Sequence, residues 1–399
     1  MLVVRQSRAG RRRGAGMMPR WTIPFCFTYD RDGRRGETCA VLQKDYALIQ
    51  LDTKSCPRWL LPHVAGVGHY DLKVTRAMVD RALAGWSELA PVERVFLARQ
   101  VRRMIGTDSF DVDVGLGLIP RLLREDNRAA LEAAAGLASW GASLPESHMA
   151  AYDRWVVATF GPEARRLGWL PRPGEPADLA RRRQVLLAWL AEAGDPVLRD
   201  ESLRLAASWR DLPAGARSSV LWAAIRADPT GALFDRLLAD VLVEKDRVTR
   251  AHLFGALAAT RDPGRVARLL GLLLDPTLDI REISWLPAAL WREPERAQAE
   301  SFARQNLAAL LARLPRDSDF SAISPLVEVF TGACSDARRE EIRTFVQATF
   351  SRFPGGPREV ARQLEAMDGC IWRRTWVGPR LARWLDREAA RPPRRSSRP

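Results

Sequence analysis

An acidic residue followed by proline recurs at Asp195-Pro196, Asp228-Pro229, Asp262-Pro263 and Glu293-Pro294, at intervals of 33, 34 and 31 residues. Proline is tolerated in a first helical turn, and a carboxylate just ahead of it caps the unpaired N–H groups there. Each turn therefore predicts a helix start. The intervening segments carry the matching stripes: Phe234, Leu237, Leu238 and Val241 fall at i, i+3, i+4 and i+7, as do Val266, Leu269, Leu270 and Leu273. One helix pair cannot bury such a stripe alone, so the period over residues 181–310 predicts a stacked, HEAT-like α-solenoid.

The helical period begins near residue 77. PVERVFLARQVRRM opens with Pro91 and Glu93 in first-turn positions, and Asp126–Trp140 and Glu146–Phe160 read as further helices. Before that point the period is two. Trp21, Ile23, Phe25, Phe27 and Tyr29 share one face of a strand, Pro24 places it at an edge or bulge, and a polar turn follows at Asp30–Gly33. Short strands are expected at Leu2–Gln6, Thr38–Leu42, Ala47–Leu51, Trp59–Leu61 and His69–Val74. The expected fold is α+β and multidomain. A partial antiparallel β-sandwich spans 1–75, a large all-α superhelical domain spans 76–385, and a disordered basic tail spans 386–399.

Charge narrows the partners. Of the net +14, six positive charges lie in residues 1–20 and three in 386–399, which leaves five over the rest of the chain. Basic ends without interleaved aromatics are solvated more often than they read nucleic acid, so nucleic-acid binding is not expected. Only Lys44, Lys54, Lys73 and Lys245 stand among 62 basic residues, a bias expected of a GC-rich genome. No apolar run approaches the length that spans a bilayer, the densest being Leu269–Leu274, and the N-terminal arginines precede no apolar segment. A cytoplasmic location is expected, with the five cysteines reduced and mostly buried, since no CxxC pair is present.

Chemistry-bearing motifs are few. Cys56, His63, His69 and Asp71 crowd into CPRWLLPHVAGVGHYD, yet zinc histidines favour i, i+4 on a helix or i, i+2 on a strand, and the six-residue gap here crosses two glycines. A structural joint is the expected reading. His148 and His252 stand singly on helices. H-E-x-x-H, G-x-S-x-G and GxxxxGK are all absent from the sequence. No catalytic, cofactor-binding or metal-ligating residue is assigned.

The same segment resembles the joint of zinc aminopeptidases related to aminopeptidase N. There, a proline-tryptophan strand enters an Asn-x-x-Gly-x-x-Tyr turn between a β-sandwich and a C-terminal helical domain; here the turn reads His63, Gly66 and Tyr70. LVVRQSR and RWTIPFCF upstream resemble sandwich strands of that family. LAPVERVFLARQV, ARRLGWLPRPGEPADLARRRQVLLAWL and GACSDARREEIRTFVQATFSRFPGGPREVARQLEAM resemble its helical domain. The match runs from about residue 2 to residue 385. It departs where His63 replaces asparagine and where His69-Tyr70-Asp71 replaces Tyr-Tyr-Arg. It also departs in lacking the family's H-E-x-x-H, exopeptidase Gly-x-Met-Glu-Asn loop and transition-state tyrosine; GAGMMPR is only superficially similar to that loop.

The resemblance implies a non-catalytic C-terminal region that caps the peptide chamber of a separately encoded catalytic half. Zinc would belong to that half. Docking through an open β edge is the expected mode. A free-standing α-solenoid that binds peptides or proteins, and a fragment of a disrupted aminopeptidase gene, remain the alternatives.

Overall fold

The computed structural model describes residues 1–6, 21–62, 70, 72–107, 110–290, 292–314 and 323–390. Compactness divides the chain into Met1–Trp140 and Gly141–Pro399. In the first unit, β1 (Leu2–Arg5) pairs with β4 (Tyr46–Ile49), while β2 (Ile23–Arg31) lies between β3 (Arg34–Leu42) and β5 (Leu60–Leu61), all antiparallel. The alternation in WTIPFCFTY sets the inward face. Phe25, Phe27 and Tyr29 pack with Leu42, Ile49 and Leu51, and Leu2, Val4 and Tyr70 cover that cluster. Pro24 faces Val41 on β3, and β5 reaches only Thr28 and Tyr29, so the missing N–H costs no second ladder.

Asp32 and Gly33 both have positive φ, 51° and 86°, as a two-residue primed hairpin turn requires. That turn pairs Arg31 with Arg34 and carries the register back to Cys26 opposite Cys39. The expectation of reduced cysteines is corrected here. Disulfides join Cys26 to Cys39 and Cys334 to Cys370, and only Cys56 is free and exposed. Trp21 also differs from expectation, lying 41% exposed and outside β2. Leu72–Val74 form no strand; His69 and Asp71 lie outside the described residues.

Helix begins at Arg76. Glu93, in the first turn of Pro91–Gly106, ties this helix to the sheet. Its carboxylate accepts from Thr28 Oγ1 at 2.8 Å, from the Ala90 N–H at 2.8 Å and from Arg35 Nη1 at 2.9 Å.

The second unit stacks successive helices, among them Ala177–Glu192, Pro196–Ala206, Ala214–Ala227, Ala232–Val243, Arg247–Leu257, Pro263–Gly271 and Glu295–Gln305. The two stripes read from the sequence are buried: Phe234, Leu237 and Val241 at 0% exposure, and Val266, Leu269 and Leu270 likewise. Two of the four acidic-Pro turns cap as expected. Asp195 accepts from the Leu198 N–H and Asp262 from the Arg265 N–H. The other two work differently. Asp228 closes one helix and reaches across a loop to the Leu233 N–H, while Glu293 precedes a cis proline and pairs with Arg296. The last helix, Gly378–Ala389, extends four residues into the expected tail, and residues 391–399 lie outside the described ones.

A buried ionic knot holds the later helices. Glu300 accepts from Arg296 Nη1 at 3.0 Å, Arg338 Nη1 at 2.9 Å and Arg304 Nε at 3.1 Å, and the Arg304 guanidinium stacks 4.4 Å from the Phe345 ring centroid. Burial alone would raise the Glu300 carboxyl. Hydrogen bonds from Arg338 and Arg296 outweigh it and hold the group at about 2, against an ordinary 4.5. A depressed folded-state value stabilises above the unfolded value and is lost as pH falls through the folded one. Glu300→Gln should therefore destabilise the chain at neutral pH by about 3 kcal/mol. In urea titrations the gap to wild type should narrow as pH falls from 4.5 towards about 2. A gap independent of pH would refute this assignment.

Candidate functional site

The repeat aligns more than its caps. Arg226 stands two residues before Asp228, Arg261 directly before Asp262, and Arg292 directly before Glu293. Stacking brings these helix ends together around Glu192, the last residue of Ala177–Glu192. Glu192 Oε1 lies 2.9 Å from Arg292 Nη2, 3.3 Å from Arg261 Nη2 and 4.0 Å from Arg226 Nη2. Together they line a recess of about 290 Å³.

The walls explain why space remains. Trp222 and Trp285 are large indoles, but Ala258, Ala259 and Ala289 between them are small. Gly255 faces open volume, with nothing within 4 Å of where a Cβ would stand. Trp285 is fixed by donating Nε1–H to the Glu282 carbonyl at 2.8 Å. Thr260 lines the recess, but its hydroxyl accepts from the Asp262 N–H at 3.4 Å.

Electrostatics set the site apart from the ordinary surface. Three guanidiniums line the recess against two carboxylates, Glu192 and Glu295. The Arg226 side chain is only 9% exposed, its Nε has no hydrogen-bond partner, and its Nη1 has only a long 3.4 Å contact with the Ala259 carbonyl. Desolvation first, then repulsion from Arg261, lowers its pKa to about 10 despite the attraction of Glu192. Burial also raises the neighbouring Asp153 carboxyl, against the pull of Arg292, and raises the Tyr152 hydroxyl. Such a recess can hold an anion; it presents no nucleophile poised by a base.

None of the described residues singled out from sequence lines the recess. His63 and Gly66 fall outside the described residues. Tyr70 packs against the β core, where burial raises its hydroxyl and a hydrogen bond with the Cys26 backbone partly offsets this. His148 lies 3.5 Å from Asp386, and burial and Arg217 lower His252. The recess arginines were not singled out from the sequence, although each sits one or two places before a repeat turn.

The charge imbalance makes two substitutions diverge. Glu192→Gln removes the shared counter-ion and should cost about 3 kcal/mol, whereas Arg226→Met removes a poorly paired buried cation and should cost under about 1 kcal/mol. Chemical denaturation measures both, and the reverse order would overturn this electrostatic picture. A family model described as the ERAP1-like C-terminal domain matches residues 59–369, more than three quarters of the chain.

Proposed function

We propose a function for this chain from the premise that it belongs to the ERAP1-like C-terminal domain family, a C-terminal region of aminopeptidase-family proteins. It holds peptides in its helical unit and shapes the chamber of a zinc-bearing catalytic half that is supplied separately. The arginine-lined recess carries the peptide-holding part of the reading. A peptide offers carboxylates, and an apolar-walled recess with excess guanidinium is matched to them.

Neither the sequence motifs nor the described residues fit the family's zinc. The sequence has no H-E-x-x-H, and neither described histidine has two further ligand groups beside it. No hydrolytic step is assigned to this chain. Its contribution to catalysis is positioning, through binding energy placed away from the reacting bond.

A docking surface for the catalytic half is supported by the outward face of β1–β4. Val3, Tyr46 and Leu48 stand there 50–57% exposed, with Val3 directly opposite Leu48. Exposed apolar side chains on a two-stranded sheet suit strand addition or face-to-face burial.

Acidic decapeptides should quench indole fluorescence on binding, while sequence-matched peptides without any free carboxylate should not. Arg226→Gln with Arg261→Gln should weaken binding at least about tenfold, and Gly255→Leu should block it by filling the recess. Equal affinity for the carboxylate-free peptides would defeat the peptide-holding reading. Separately, Leu48→Lys should abolish co-purification with a co-expressed zinc-motif partner and leave peptide affinity unchanged. If no such partner is retained by wild type while peptide binding persists, the chain acts as a free-standing peptide adaptor.

A further inference from the structure

The β2–β3 hairpin assembles a second cluster, unrelated to the recess. Its turn fixes Cys26 directly opposite Cys39 with Cα atoms 4.0 Å apart, the close spacing of a non-hydrogen-bonded pair. Glu37 lies two residues before Cys39, so both project from one face of β3. The two Sγ atoms and a Glu37 carboxylate oxygen all lie within 4.8 Å of one another. Among the described residues, no other group of three histidine, cysteine or acidic side chains is close enough to share an ion.

The cluster is reachable and dispensable to the core. Phe25 and Phe27 turn inward, while Cys39 and Glu37 are exposed and Cys26 is half-buried. Nine residue pairs and a two-residue turn already hold the hairpin in register. The sulfur bridge closes a loop the turn has closed, so its entropic contribution is small. Cleaving it leaves the strands paired.

We propose that the reduced hairpin is a binding site for one thiophilic divalent cation of the zinc type, with Cys26, Cys39 and Glu37 as ligands and solvent in the fourth position. Two equivalents of a thiol reductant open the site. The first attacks one sulfur and forms a mixed disulfide; the second releases it as the reductant's own disulfide. The bridge thereby gains two electrons and two protons. Metal entry then displaces both thiol protons. At zinc–sulfur distances near 2.3 Å, tetrahedral geometry needs the sulfurs about 3.7 Å apart, a separation the 4.0 Å Cα spacing allows through side-chain rotation. Two thiolates and a carboxylate leave the occupied site with one net negative charge, at an exposed position where solvent and salt screen it. The oxidised hairpin cannot bind the ion, so metal content follows redox state.

Untagged full chain carrying Cys56→Ser, reduced with a phosphine and dialysed against buffered zinc, tests this by elemental analysis. One zinc per chain is expected after reduction and none before it. Cys334→Ser with Cys370→Ser should keep that stoichiometry, and Cys26→Ser with Cys39→Ser should abolish it. Glu37 is exposed, so Glu37→Gln leaves folding intact, and it should weaken zinc at least about tenfold. Cobalt substitution in the same samples should show thiolate-to-metal charge transfer only where Cys26 and Cys39 are both present and reduced. The proposal is overturned if the reduced Cys56→Ser chain holds no more zinc than the same chain carrying Cys26→Ser and Cys39→Ser. It is equally overturned if Glu37→Gln binds zinc as tightly as wild type.

Discussion

No helix pair in residues 181–310 can bury its own apolar stripe, and the helical unit follows from that constraint. Phe234, Leu237 and Val241 reach zero exposure only because neighbouring helices cover them. Stacking at a period of 31 to 34 residues then aligns the turns along one side. Residues near the turns are aligned with them, which is how Arg226, Arg261 and Arg292 come to share a single glutamate. The recess is a by-product of burial, and its charge is a choice made within that geometry.

That choice has an energetic consequence. A buried guanidinium whose Nε lacks a partner is costly, and a well-packed apolar side chain would serve the fold as well. Contrast Glu300, where three arginines donate to both oxygens of one buried carboxylate and phenylalanine rings flank Arg304. There the charges complete one another. Around Glu192 they do not, and the imbalance lies beside open volume. This difference separates the structural knot from the recess proposed to take an anion.

Much of the architecture was legible in the sequence, because its signals are local. The two-residue period of Phe25, Phe27 and Tyr29 and the stripes of the solenoid both survive folding intact. The cysteine pairing was missed: the register that an Asp-Gly turn after Arg31 imposes sets Cys26 opposite Cys39, and a search for CxxC overlooks bridges that cross strands or join helices. Asp228 and Glu293 show where local chemistry misleads, because the same acidic-Pro pair caps at a distance or pairs with arginine instead. The recess was the least legible feature. Its members are spread over residues 192–295, and nothing in one helix distinguishes its arginine from solvated ones.

The proposal that this chain holds peptides and leaves their cleavage to another domain rests on the family assignment and the recess together. Hydrogen exchange of the full chain, with and without a saturating acidic peptide, locates the bound ligand directly. Added protection should fall on the C-terminal turns of Ala177–Glu192, Ala214–Ala227 and Arg247–Leu257, the helices that end at the recess. Protection spread evenly over the helical unit, or confined to the β strands, would contradict the account.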